Sequence, residues 1–122
     1  MPIFSLPVIA LYPKDSFTLF AATDTLAAGN NSQVITIGAT GPVPRGVMTF
    51  QGDFASSPTA VWEILGSNTQ PTSSAPQNGV VLYTSTNMQH DNYTDNVAFT
   101  FYWAQLVSQS GGGTFTLIVH VG

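Results

Sequence analysis

The chain has 122 residues, which is a usual length for one domain, and it has no cysteine, so disulfides, cysteine nucleophiles and thiolate metal sites are excluded. Only 7% of its residues are charged, against about 25% in an ordinary soluble domain, and the net charge is −4. Lys14 and Arg45 are the only Lys or Arg residues, too few to neutralise phosphates or anionic lipid, so we expect neither nucleic-acid nor membrane-surface binding.

The chain opens with an apolar arm, residues 1–13, interrupted by Pro2, Pro7 and Pro13. A membrane-spanning helix needs about 20 continuous apolar residues, which the arm does not have. Its prolines disfavour central strand pairing. The arm therefore either lies along its own domain as an edge or reaches over a neighbouring copy. The arm residues that would then form a subunit interface are Ile3, Phe4, Leu6, Val8, Ile9, Leu11 and Tyr12.

From residue 14 to residue 122 the sequence alternates with the period of two that is typical of β-strands. Polar, turn-forming stretches separate the alternating segments, and the longest loop is 67–79. Counted with the arm, about eight short strands are predicted, with no helix. The predicted segments after the arm are 17–21, 34–38, 47–54, 59–66, 79–86, 97–107 and 114–121. The fold expected from this pattern is a single all-β domain, an antiparallel sandwich or jelly roll.

Segment 97–107 is unusual because both of its faces are apolar. One face is Val97, Phe99, Phe101, Trp103 and Val107, and the other is Ala98, Tyr102, Ala104 and Leu106. Such a strand is either central and covered twice within its own chain, or covered on its outer face by another chain. Since no helix is predicted, we expect the second arrangement. Tyr102 and Leu106 therefore join the predicted subunit interface.

The stretch MQHDNYTDN, residues 88–96, places His90, Asp91 and Asp95 close together in sequence. Carboxylate and amide oxygens in a tight loop can bind calcium, but the glycine and distal glutamate of a calcium loop are missing. Asp and Asn also begin turns by bonding their own backbone. We favour the turn and expect no metal site and no cofactor.

Acid–base catalysis would have to use Asp53, Asp91 or Asp95, with His90 or His120. No nucleophile, zinc or phosphate-binding motif accompanies them. The glycines at 111–113 precede a strand and are interpreted as a hairpin turn. We expect no enzymatic activity.

Trp62 and Trp103 could form a platform for stacking sugars. Both fall on faces assigned to the core, so a core position is favoured.

From residue 47 the segments MTFQGDF, TAVWEILGSN and FYWAQLVSQSGGGTFTLIVHVG follow one another in an order that resembles small structural β-sandwich proteins of tailed bacteriophage virions, such as head-decoration proteins. The resemblance implies a non-enzymatic virion component that self-associates, with a trimer favoured, and binds major capsid or other virion proteins. It carries over no catalytic residues. The alternative is a module that binds carbohydrate or a host surface through loops 67–79 and 88–96, with Trp62, Tyr93, Tyr102 or Trp103 exposed.

Overall fold

A computed structural model describes residues 8–12, 14–21, 31–37, 47–54, 59–71, 79–86, 90–96, 99–110 and 115–122. Within these ranges the chain forms nine strands and no helix, and therefore no helix that could cross a membrane. The strands are β1 Ile9–Leu11, β2 Ser16–Phe20, β3 Ile35–Ile37, β4 Met48–Phe54, β5 Thr59–Ser67, β6 Val80–Thr84, β7 His90–Asp95, β8 Phe101–Ser110 and β9 Phe115–Val121.

The strands form two sheets packed face to face. The five-stranded sheet has the order β1-β3-β8-β5-β6, and the four-stranded sheet has the order β2-β9-β4-β7. Every pairing is antiparallel except that of β1 with β3. The predicted all-β sandwich is confirmed.

Strand β7 was predicted as a loop, and that prediction is wrong. His90–Asp95 pairs with β4 in an unbroken register from Asp53–His90 to Met48–Asp95. The sequence HDNYTD lacks the alternation of apolar residues that predicts a strand, because Tyr93 is its only apolar residue. An edge strand that is polar on both faces takes its conformation from the strand it pairs with, and alternation alone does not reveal it.

The core fills the space between the sheets. Its fully buried side chains come from both sheets, since each sheet covers the apolar face of the other. The largest are Trp62, Tyr102, Phe20, Phe50, Leu19, Ile35, Met48, Ile64, Leu106 and Leu117.

The two faces of strand β8 lie the opposite way round from the prediction. Tyr102 and Leu106, expected on the outside, lie fully buried in the core between the sheets. Trp103 instead lies on the outer side of the five-stranded sheet and is also fully buried. Its cover comes from its own chain: the residues packed around it are Val8, Val34, Leu65 and Phe101. Loop and arm residues, rather than a helix or a second chain, cover the outer face at this point.

Strand β8 also carries a bulge that breaks the alternation. Val61 pairs with Ser108 and Trp62 with Leu106, which leaves Val107 as the extra residue. Val107 was expected on the same face as Trp103, but its side chain is 43% exposed.

The arm follows the first of its two predicted arrangements over the residues that the structure describes. Strand β1 lies at the edge of its own sheet, where the Ile9 N–H donates to the Val34 carbonyl at 3.0 Å. A turn then takes the chain to the other sheet. In this turn Lys14 has a φ of 75° and the Asp15 carboxylate accepts the Tyr12 N–H at 2.9 Å.

Candidate functional site

A regular polar surface lies on the outer side of the four-stranded sheet, which we call the outer face. The strand registers align its side chains in three rows across the sheet. The rows are Ser16, His120, Thr49 and Thr94; then Thr18, Ile118, Gln51 and Asn92; then Thr116, Asp53 and His90. These side chains are exposed or half-buried, because the alternate residues of the same strands fill the core.

The outer face is almost uncharged. Its one carboxylate, on Asp53, contacts the His90 Nδ1 at 2.6 Å and accepts the Gln51 amide at 3.1 Å. Ile118 is its only large apolar residue and is 37% exposed. The rest of the face offers hydroxyl, amide and imidazole groups, which can donate and accept hydrogen bonds without the desolvation cost of a full charge.

Ser16 and His120 form a pair on the outer face that the sequence did not reveal. The Ser16 Oγ lies 2.8 Å from the His120 Nδ1. Since the two residues are 104 positions apart, only the pairing of β2 with β9 brings them together. An activated serine also needs a third group that orients the histidine, and no carboxylate of the described chain hydrogen-bonds to His120. The pair therefore stands as a cross-strand hydrogen bond between exposed residues.

A second constellation, the tyrosine–aspartate cluster, lies where β6 and β7 approach each other across the sandwich. It consists of Tyr83, Asp91, Tyr93, Asp95 and Tyr102. The Tyr83 hydroxyl donates to Asp91 at 2.6 Å, while the Tyr93 and Tyr102 hydroxyls donate to Asp95 at 2.7 and 2.5 Å. The rings of Tyr83 and Tyr93 stack with their centroids 5.0 Å apart. Strands β6 and β7 are edges of different sheets, so the cluster ties the two sheets together.

The environment of the cluster keeps Tyr83 and Tyr93 protonated. Burial, with the hydrogen bond to Asp91 and the charge of that carboxylate, raises the pKa of Tyr83 to about 12. Burial, with the corresponding bond and charge of Asp95, raises the pKa of Tyr93 to about 12 as well. Near neutral pH both phenols are hydrogen-bond donors and not bases.

The structure separates the acidic and histidine side chains that the sequence brings close. Asp91 and Asp95 belong to the tyrosine–aspartate cluster, whereas His90 lies on the outer face with Asp53. No three His, Asp or Glu side chains of the described chain come together as metal ligands. This arrangement supports neither a calcium site nor a catalytic pair of carboxylates.

Both tryptophans are buried, as predicted, but Trp62 lies between the sheets and Trp103 lies on the outer side of the five-stranded sheet. Trp62 and Trp103 are fully buried, and so is Tyr102, so these three rings cannot stack on a sugar. Tyr93 is half-buried between Phe50 and Tyr83. Within the described part of the chain neither indole nitrogen has a hydrogen-bond partner, and Gly52 packs against the indole of Trp62 as Gly79 packs against that of Trp103. Neither of these close glycine contacts could be predicted from the sequence, because each joins residues from different segments of the chain.

The predicted interface residues divide into three groups. Ile3, Phe4 and Leu6 lie outside the described residues. Leu11, Tyr102 and Leu106 are buried within the chain, so they offer no surface to a partner. Val8 and Ile9 are half-buried, and Tyr12 is 43% exposed, so these three remain candidates.

Among the residues that the structure describes, the two most exposed large apolar ones lie on the edge strand β6, where the sequence analysis did not place an interface. Val80 and Val81 are 52% and 49% exposed. Their side chains point to opposite sides of the strand, so the free edge of β6 is a second candidate contact region, more apolar than the outer face.

In comparisons with known proteins, no family model, no curated protein and no solved structure matches the chain.

Proposed function

We propose that the protein is a non-enzymatic structural component of a viral particle, of the capsid-decoration kind, which self-associates and binds a coat lattice. The observation that supports this most is the nearly uncharged outer face. A face of this kind, built from rows of hydroxyl and amide groups, suits a protein whose function is to bind the surfaces of other proteins.

Physical chemistry connects the outer face to assembly. Two surfaces of like charge repel each other at close range, but a neutral polar surface does not, and its groups can exchange water for a partner at small cost. A single contact of this kind is weak. Repetition over many copies on a lattice makes it strong, since each further contact becomes intramolecular.

The edge of β6 offers a second surface for the same purpose. Val80 and Val81 expose apolar area that gains free energy when it is removed from water, at about 25 cal/mol per Å². One surface could then contact copies of the chain and the other the coat lattice.

Native mass measured by light scattering on a sizing column, over a hundredfold range of concentration, tests self-association. We expect a mass above that of one chain at the upper end of the range, with a trimer as the favoured closed form. Ile118→Lys, which puts a charge in the centre of the outer face, should weaken co-sedimentation with virus particles. Val107→Lys is the matched control, since it charges an exposed valine on the other sheet. A strict monomer that also fails to co-sediment with virus particles would contradict the proposal.

The alternative function is binding of carbohydrate or a host surface, and the same outer face favours it in one respect. Hydroxyl, amide and imidazole groups in rows are suited to a neutral, hydroxyl-rich ligand, and His90, Asn92 and Thr94 contribute to them from segment 88–96. Binding on a glycan array that is lost in Gln51→Ala would support it. A silent array would leave assembly as the function.

A further inference from the structure

We infer that the four-stranded sheet continues into a second copy of the chain, with β2 of one copy paired antiparallel to β7 of the next. We call this pairing between copies the joint. This inference deepens the proposed self-association and rests on it.

The two edges of the four-stranded sheet have compatible directions and lengths. In the described chain β2 pairs only with β9, and β7 only with β4. Each strand runs antiparallel to its neighbour across β2-β9-β4-β7, so β2 and β7 run in opposite directions. A copy added beside β7 with its own β2 therefore continues the antiparallel pattern. The strands have five and six residues.

The side chains at the two edges match when the rows are continued. On the inner side one row is Phe17, Val119, Phe50 and Tyr93. Its two ends, Phe17 and Tyr93, are half-buried aromatic rings, each with a neighbour on one side of the row only. In the continued sheet Phe17 of one copy lies beside Tyr93 of the next, and cross-strand aromatic pairs stabilise sheets by about 0.2–1 kcal/mol each.

The outer rows meet without repulsion. Ser16 comes beside Thr94, and Thr18 comes beside Asn92, so both outer rows continue with neutral, hydrogen-bonding side chains. The outer face then extends without interruption from one copy to the next.

At the end of the joint the same alignment brings two carboxylates together, those of Asp15 and Asp95, each of which accepts hydrogen bonds within its own chain. The Lys14 N–H and the Asp15 carbonyl both bond to Val121, which pairs with Met48, and Met48 pairs with Asp95. Lys14 and Asp15 therefore align with the Asp95 end of β7 in the neighbouring copy. In the register that sets Ser16 beside Thr94, Asp15 falls opposite Asp95, and Lys14, the only Lys or Arg among the described residues, is the next residue in the chain. The Asp15 carboxylate is turned back towards the Tyr12 N–H of its own turn.

The edges of the other sheet match less well. Strand β1 has only three residues, against five in β2 and six in β7, so it offers a shorter edge for pairing. A joint of one strand with one strand lies below the roughly 1,000 Å² of a stable interface. Because the joint is head-to-tail, each copy uses both of its edges, and the assembly closes into a ring when the rotation per copy divides a full turn.

The absence of cysteine from the natural chain makes disulfide cross-linking a direct test. Thr18 and Asn92 are both exposed and fall in one row, so in the joint their Cβ atoms are about 4.5–5.5 Å apart, a separation that a small adjustment brings within disulfide range. Thr18→Cys and Asn92→Cys, mixed as single variants and oxidised, should form a covalent heterodimer. The double variant should form larger covalent species, ending at the ring size. The matched control is Ala10→Cys mixed with Thr84→Cys, which places exposed cysteines on the two edges of the five-stranded sheet.

Cross-linking of Thr18→Cys with Asn92→Cys, several-fold above that of the control pair, supports the joint. Homodimers of either single variant, or preferential cross-linking of the control pair, would overturn it in favour of another contact. No cross-link in a protein whose native mass exceeds one chain would overturn the joint and leave self-association intact. A monomer at every concentration would overturn both.

Discussion

At the scale of single residues, the contact between Gly52 and Trp62 shows why a glycine is needed inside strand β4. A Cβ added at Gly52 would lie 2.6 Å from the indole Nε1 of Trp62. The indole is fully buried and rigid, so it cannot move aside without disturbing the core. The two sheets approach each other closely here because no side chain separates them.

Gly52→Ala should therefore lower the free energy of unfolding by about 1–3 kcal/mol, the usual cost of overpacking a core. The measurement is the urea midpoint at an unchanged m-value. Gly122→Ala is the control, because the nearest atom to its added Cβ is the Val47 carbonyl oxygen at 3.3 Å. Equal effects of the two substitutions would contradict the close contact at Trp62.

The tyrosine–aspartate cluster makes stability sensitive to alkaline pH. The pKa of Tyr83 and of Tyr93 is about 12 in the folded chain, against an ordinary value of about 10. The unfolded chain therefore releases protons at a lower pH than the folded one. The stabilisation is complete below pH 10 and is lost as the pH rises from 10 through about 12.

Urea midpoints measured from pH 8 to pH 12 should accordingly fall above pH 10. In the double variant Tyr83→Phe/Tyr93→Phe the fall should be shallower, since two of the groups that titrate differently in the two states are gone. Tyr12→Phe, which removes a tyrosine outside the cluster, serves as the control. An unchanged slope in the double variant would exclude the two phenols as the cause.

At the scale of elements, strand β8 is central to the fold because it is covered on both faces by its own chain. Tyr102 and Leu106 fill the space between the sheets, while Trp103 is buried on the outer side against Val34 and Leu65. The apolar pattern on both faces therefore reports the central position of the strand, and not a subunit contact at these residues.

Trp103→Ala should cost about 3–5 kcal/mol of unfolding free energy, as expected for a large aromatic residue removed from a core. Val107→Ala, on the exposed bulge of the same strand, should change it by no more than about 0.5 kcal/mol. Urea unfolding of both variants at a concentration where the protein is monomeric gives the comparison. A small effect of Trp103→Ala in the monomer would mean that its cover comes from another chain.

At the scale of the whole molecule, the proposed assembly links stability to concentration. A partner that binds only the folded chain stabilises it, by about 2.7 kcal/mol when the partner is present at 100 times its Kd. For a chain of this size such a gain raises the Tm by several degrees.

The Tm from calorimetry should therefore rise over a hundredfold increase in protein concentration. The double variant Thr18→Lys/Asn92→Lys should flatten this dependence, because it sets two like charges beside each other in the joint at exposed positions outside the core. A Tm that is independent of concentration in the natural chain would indicate that copies do not stabilise one another.

The sequence by itself predicted the all-β sandwich, the positions of most strands and the buried tryptophans. It could do so because alternation of apolar residues is a local signal that burial of one strand face imposes. It also excluded thiol chemistry and clustered cations, which depend on composition alone.

Only the tertiary structure decided which elements are neighbours. Strand β7 has no apolar alternation of its own, and the rows of the outer face, the Ser16–His120 pair and the tyrosine–aspartate cluster all depend on strand order and register. The same holds for the faces of β8, because the bulge at Val107 shifts its alternation and distant residues cover Trp103. Register is fixed by packing between residues that are far apart in the chain, so a local pattern does not contain it.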